Sequence, residues 1–207
     1  VRAYRCLHEG QLLPGAEIIL GEEESRHLAA ARRAAPGDPV LILNGAGAEF
    51  AAVITAIGKR TTTVRLAEPL RHEPAPPRPI ALGWSPTKSP DFDGLFQRAV
   101  ELGMTDFHVI AADRCVVDWS GDRWEKKADR LTRLAGEALK QCERLWLPRL
   151  QPPRPLAALL ADPRPWTPIF LEERRPDAPP LATVLHGVER PLLLVGPEGG
   201  WSDAEKA

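Results

Sequence analysis

The residues best suited to chemistry lie near the end of the chain, in Val195-Gly196-Pro197-Glu198-Gly199-Gly200, directly after the apolar run Pro191-Leu192-Leu193-Leu194-Val195. Three glycines within five residues let a ligand approach the backbone without Cβ clashes, and Pro197 stiffens the turn. In open α/β sheets ligands bind outside the carboxyl ends of strands, which is where this loop would stand. Ser202 and Asp203 are suited to cap a following helix, with Glu205 in its first turn. Such a loop presents amide groups and the Glu198 carboxylate to a bound molecule. No Lys-Ser/Thr pair follows it, so it is not a P-loop, and the glycine spacing is not the dinucleotide fingerprint. On these residues alone, a tight structural turn and a small-molecule site are equally good readings.

The elements that would position the loop fall into two groups. In residues 1–70, short strands are expected at 17–20, 39–43, 49–54 and 61–66, with Asn44-Gly45 as a turn. A helix is expected from Glu22 to Ala35, stopped by Pro36-Gly37. Closely spaced short strands suggest a small β-barrel. Residues 71–79 hold four prolines, which neither a helix nor a central strand tolerates, so a linker is expected there. From residue 80 onward, apolar strands (80–84, 107–110, 168–171, 191–195) alternate with helices (92–102, 123–144), the pattern of a mostly parallel sheet covered by helices. The Pro-rich stretch 148–180 reads mainly as irregular connections around the strand at 168–171.

Composition narrows the class of protein. At 207 residues the chain is long enough to bury a core without staples. No stretch approaches a membrane span, and Val1-Arg2-Ala3-Tyr4-Arg5 lacks the apolar segment of a signal peptide. The three cysteines form no CxxC pair, which suggests neither a disulfide framework nor a zinc site, and fits a reducing cytoplasm. A net charge of -1 excludes a uniformly basic coat but not a local basic patch. The basic residues are 21 Arg against 6 Lys. Arg is the better bidentate partner for phosphates and bases, although a GC-rich genome also explains that bias.

Several motifs, taken in order, resemble the RsmE family of 16S ribosomal RNA uridine N3-methyltransferases. Gly196-Pro197-Glu198-Gly199-Gly200-Trp201-Ser202-Asp203-Ala204-Glu205 resembles its signature loop. Gln97-Arg98-Ala99-Val100-Glu101-Leu102-Gly103 resembles its Q-K-A-x-E-L-G helix end, and Asp113-Arg114-Cys115 its E-R-S/C turn. Glu137-Ala138-Leu139-Lys140-Gln141-Cys142-Glu143-Arg144 resembles E-A-x-E-Q-x-x-R, with Lys140 in place of Glu. His27 through Arg33 and Gly37-Asp38 resemble H-x-x-x-x-x-R-x-x-x-G-D, and Arg2 and Arg5 match the opening basic residues. The resemblance implies an N-terminal PUA-like RNA-binding β-barrel (1–70), the Pro-rich linker (71–79) and a SPOUT α/β trefoil-knot methyltransferase domain (80–207). The family continues past the equivalent of Ala207, so the resemblance also implies that the C-terminal part of the knot lies outside this sequence. Residues 202–207 read as a helix cut soon after it starts.

The resemblance further implies a cofactor, S-adenosyl-L-methionine, and a substrate, 16S rRNA in a small ribosomal subunit or its precursor. Gly196, Glu198, Gly199 and Gly200 would hold the cofactor, with Leu171 and Glu172 as another wall. Leu171 reads equally well as plain core, and Glu198 better as a holder of loop amides than as a base. Arg114, Gln141 and Arg144 are the candidate catalytic and RNA-side residues, Gln141 and Arg144 being expected on one helix face. Arg2, Arg5, Arg33 and Lys88 would bind RNA, while surface salt bridges or solvated charges are the plain alternative for these cations. His27 reads as a packed or capping residue. No metal is expected, because a sulfonium is already an activated leaving group. A homodimer is expected, with Leu145-Trp146-Leu147 helping to bury its interface. Two other functions compete: a catalytically inert RNA-binding protein, and a different α/β enzyme whose glycine loop binds a nucleotide.

Overall fold

The computed structural model describes residues 4–30, 34–58, 60–88, 91–161, 166–172 and 175–206. The chain divides into two compact units, Val1–Ala75 with Leu139–Leu147, and Pro76–Ala138 with Pro148–Ala207.

The first unit is a five-stranded sheet built from β1 (Tyr4–Leu7), β2 (Glu17–Leu20), β3 (Pro39–Leu43), β4 (Ala48–Ile57) and β5 (Thr62–His72), with α1 (Glu22–Ala30). The strand order is β1-β3-β4-β5-β2. β1 pairs parallel with β3 and the other neighbours are antiparallel. Alternating residues face the core, as a half-buried strand requires: Val40 and Ile42 of β3, Ala52 and Ile54 of β4, and Val64 and Leu66 of β5 cluster with Cys6, Leu20 and Leu28. Ser25 is buried on α1, where its hydroxyl donates to Leu20 O and accepts from the Thr62 amide, so no polar group is stranded at that join. β5 runs through His72, two residues into the Pro-rich stretch. It tolerates Pro69 because β2 pairs only with residues 62–65, leaving this end of β5 at an edge where a missing amide costs little. Three register shifts along β4 and β5 bend this pair. β1, absent from the expected strands, takes Tyr4–Leu7 into the sheet.

The second unit is a five-stranded, all-parallel sheet of order β8-β7-β6-β10-β9. Its strands are β6 (Ala81–Trp84), β7 (Asp106–Ile110), β8 (Arg149–Arg154), β9 (Thr167–Leu171) and β10 (Pro191–Val195). Its helices are α2 (Phe92–Leu102), α3 (Asp122–Cys142, whose last residues from Leu139 belong to the first unit), α4 (Leu156–Leu160), α5 (Leu181–Val184) and α6 (Asp203–Lys206). β7 is buried along its whole length, and β10 nearly so, as the interior of a parallel sheet demands. β8 corrects the expectation of irregular chain after residue 148. Pro152 and Pro153 are accommodated because β8 is an edge strand, and Arg149 anchors it by a two-pronged bond to the buried Asp106 at 2.8 and 3.0 Å. α2 ends as expected at Gly103 (φ 99), where the Met104 amide reaches Ala99 O and that of Gly103 reaches Val100 O.

α3 stops at Cys142, not Arg144, because Glu143 takes a left-handed φ of 63. Gln141 and Arg144 are therefore not on one helix face, and the expectation that they are is corrected. The turn is held from the first unit: the Arg5 guanidinium pairs with the Glu143 carboxylate at 2.6 Å, and Arg71 donates to the Glu143 carbonyl. The following residues dock beside β4. Leu147 N donates to Gly45 O, Gly47 N donates to Leu145 O, and the Trp146 indole donates to Glu73 O.

Candidate active site

In-register pairing brings the carboxyl ends of four parallel strands together. Trp84 of β6 lies beside Val195 of β10, which lies beside Leu171 of β9, and Trp84 also pairs with Val109 of β7. Four loops leave these ends: 85–88, 111–121, the residues after Leu171, and 196–202. The Ser85 amide donates to Val195 O, and its buried hydroxyl donates to Ile110 O, fixing the roots of the first two loops against β10 and β7.

The glycine loop is tied to each of its neighbours. One Glu198 carboxylate oxygen accepts from the Lys88 amide at 2.9 Å. Glu198 thus holds one amide of the neighbouring 85–88 loop, while the Lys88 side chain itself is exposed. Arg114 donates to Gly199 O at 3.2 Å, and a Cβ on Gly199 would stand 3.1 Å from the Arg114 Cβ. Any side chain at Gly199 would be in tight contact with Arg114. Gly200 is required by conformation (φ 68) and has open space where its Cβ would be. A Cβ on Gly196 would press on the Trp201 ring at 3.0 Å. Trp201, almost fully buried, stacks edge-on against Phe170 of β9 at 5.4 Å. Beyond the glycines, Ser202 and Glu205 form the anticipated capping box: the Ser202 amide donates to Glu205 Oε2, and the Glu205 amide donates to Ser202 Oγ. Lys206 pairs with Glu172 after β9. Leu171 itself is 38% exposed, which removes the plain-core reading and leaves an apolar wall at the strand end.

The Arg114 loop has a second anchor. Trp119 packs edge-on against Phe92 at 5.1 Å, and the Lys127 ammonium lies 4.6 and 4.7 Å from the Phe92 and Trp119 rings. Asp93 holds Lys127 at 3.1 Å and also pairs with Arg130. Burial works to raise the Asp93 pKa, but the hydrogen bonds from Arg130 and Lys127 outweigh it and hold the carboxyl below its usual range.

The sequence-predicted residues thus divide. Arg114, Lys88, Leu171, Glu172, Gly196, Glu198, Gly199 and Gly200 all stand at the carboxyl ends of the second unit's strands. Gln141 and Arg144, both exposed, belong to the first unit, so neither unit alone assembles the trio with Arg114. Arg2 and Arg33 lie outside the described residues. Arg5 is a correction. Its side chain is 13% exposed and lies between Glu49, itself buried, and Glu143, so it is a structural ion-pair residue and is not presented to phosphate. The bond to Glu143 leads in pushing its pKa up, burial opposes, and Glu49 adds to the rise. The Leu145-Trp146-Leu147 run is also corrected as an interface: Leu145 is buried, and Trp146 and Leu147 cover Gly47 and Gly45 of the same chain. His27 is exposed on α1 rather than packed. Sequence reading missed Asp113 as a site residue. Its amide donates to Glu205 Oε1 at 3.0 Å, and its carboxylate accepts from Ser202 Oγ at 2.6 Å.

A parallel sheet with a glycine loop knitted to its neighbours at the carboxyl edge defines an α/β domain, here with a separate β unit. The chain belongs to the RNA methyltransferase domain family, whose model matches residues 74–207. A model for the RNA methyltransferase PUA domain matches residues 20–67. Ribosomal RNA small subunit methyltransferase E of Synechocystis sp. is 28% identical over 209 residues, covering 99% of this chain and 67% of that protein. Its namesake in Mycobacterium tuberculosis is 27% identical, covering 93% and 75%. Among solved structures, ribosomal RNA small subunit methyltransferase E of Neisseria gonorrhoeae, bound to S-adenosyl methionine, superposes with a TM-score of 0.85 at 26% identity, covering 99% of this chain and 84% of that one. A putative methyltransferase of Legionella pneumophila, in complex with the same cofactor, gives 0.82 at 26% identity, covering 100% and 84%. These matches bear out the resemblance carried by the sequence motifs.

Proposed function

We propose that this RNA methyltransferase transfers a methyl group from S-adenosyl-L-methionine to N3 of a uridine in 16S rRNA, within a small ribosomal subunit or its precursor in the cytoplasm. The observation that carries the reading is the 196–200 loop, held by two neighbouring segments at the carboxyl edge of the sheet. The relatives named above are small-subunit rRNA methyltransferases, and two structural neighbours carry this cofactor.

The residues fit the group. Leu171 offers an exposed apolar wall for an adenosyl moiety, and Glu198, Gly199 and Gly200 are exposed backbone with room at Gly200 for close approach. When bound, the sulfonium supplies an activated methyl group, so no metal or covalent enzyme intermediate is called for. The chain's task is to align the nitrogen and ease loss of its proton. Arg114 stands against the loop, where a guanidinium can stabilise the anion that develops on a uracil ring. Lys88 and, in the first unit, Gln141 and Arg144 are the exposed candidates for phosphate and base contacts. In this reading residues 1–70 position RNA and 80–207 carry out the transfer. The β10 strand inserted between β6 and β9 favours the knotted SPOUT topology, and the exposed Leu95 and Leu102 of α2 suit burial in a homodimer. Among the described residues, no helix is long and apolar enough to cross a membrane.

The test is methyl transfer from radiolabelled S-adenosylmethionine to unmodified small subunits and to naked 16S rRNA, followed by nucleoside analysis. The expected product is N3-methyluridine. Label in any other nucleoside, or none, overturns the assignment.

A further inference from the structure

We propose that Asp113 is a positioning residue that makes the cofactor loop and Arg114 a single cooperative unit, so that cofactor and RNA strengthen each other's binding. This rests on the reading of the 196–200 loop as the cofactor site and of Arg114 as an RNA-side residue.

The turn at 113–115 and the segment 199–205 are joined by three hydrogen bonds. Asp113 N donates to Glu205 Oε1 at 3.0 Å, Ser202 Oγ donates to Asp113 Oδ2 at 2.6 Å, and Arg114 donates to Gly199 O at 3.2 Å. Both capping-box side chains are used twice. Glu205 accepts from the Ser202 amide and from Asp113, and Ser202 Oγ accepts from the Glu205 amide while donating to Asp113. The cap that ends the glycine loop and the Arg114 turn therefore share Ser202 and Glu205, so a shift of one segment is felt by the other. The close approach of Gly199 to the Arg114 Cβ leaves the two backbones little room to shift independently. A short O–H to carboxylate bond is among the stronger hydrogen bonds, and bonds that share members act as a unit. A ligand that orders the glycine loop thereby orders Arg114. By linkage, RNA held by Arg114 tightens the cofactor by the same factor.

The test is RNA affinity measured with and without saturating S-adenosylhomocysteine, on the full-length protein and a 16S rRNA transcript. The parent is expected to bind RNA on the order of tenfold more tightly with the cofactor product present. Asp113→Ala and Ser202→Ala each reduce that ratio to below about twofold, and the double variant is no worse than Ser202→Ala alone, which already lacks the bond to Asp113 as well as the cap bond from the Glu205 amide. Asp113→Asn, which keeps an acceptor, restores most of the ratio. A residue that merely stabilises the fold would lower the melting temperature and leave the ratio at its parent value. That outcome, or a parent with no enhancement, overturns the proposal. A parent that does not bind S-adenosylhomocysteine at all overturns the cofactor-site reading itself, and the proposal with it. If Asp113→Ala does not fold, Ser202→Ala removes the same bond from the other side and decides the matter.

Discussion

Two glycine-rich turns follow strands in this chain, and they differ in what occupies the space beside them. Gly45 and Gly47 both have positive φ, and the chain itself fills the room their missing side chains leave. A Cβ on Gly45 would meet Leu147 at 2.5 Å, and one on Gly47 would overlap the Glu73 carbonyl and meet the Trp146 ring at 2.8 Å. At the 196–200 loop the fill is partial. Trp201 and Arg114 back Gly196 and Gly199, but Gly200 faces open space, with Leu171 exposed on the neighbouring strand. In sequence the two turns carry the same signal. The distinction between a structural turn and a ligand cradle lies in whether the chain returns to cover it.

The largest effect is expected of Gly47→Ala. The new methyl group collides with backbone in a left-handed conformation, and overpacking and strain together cost about 3–5 kcal/mol. Chemical denaturation should show the loss, while S-adenosylmethionine affinity of the remaining folded protein is unchanged. A variant as stable as the parent would mean that the 139–147 segment does not cover this turn.

The two arginines sharpen the contrast. Arg5→Ala leaves the buried Glu49 without its guanidinium and removes one partner of Glu143, a loss of about 3 kcal/mol in stability with little change in the salt dependence of RNA binding. Arg114→Ala, at an exposed position, should change stability by under about 1 kcal/mol and weaken RNA binding and methyl transfer. Reversed results for the two would return Arg5 to the RNA surface and make Arg114 structural.

How much of this was legible beforehand follows from the range of each interaction. The apolar runs of β6, β7, β9 and β10 announced themselves, as did the Gly103 stop and the Ser202–Glu205 box, because each is decided by neighbours a few residues away. β8 was hidden by Pro152 and Pro153, which an edge strand tolerates but a local pattern argues against. The end of α3 was hidden because its helical pattern continues to Arg144. What stops it at Glu143 is Arg5 and Arg71, 138 and 72 residues away in sequence. The same distance concealed the true use of Arg5. In the site, the glycines and the Asp113-Arg114-Cys115 turn were legible as motifs, whereas the bonding role of Asp113 was not. Its partners, Ser202 and Glu205, are 89 and 92 residues distant.

The central claim is that the 196–200 loop is a cofactor cradle and not a second covered turn. Titration calorimetry of S-adenosylmethionine into the full-length parent and its Gly199→Val variant tests it most directly, with an unfolding curve on each preparation as a control. A valine there presses on Arg114, and so displaces the loop from the backbone position in which a cofactor would meet it. The account predicts a folded variant whose cofactor affinity falls by roughly a hundredfold or more, on the order of 3 kcal/mol. A folded Gly199→Val protein that binds S-adenosylmethionine as tightly as the parent would contradict it, and would place the cofactor elsewhere.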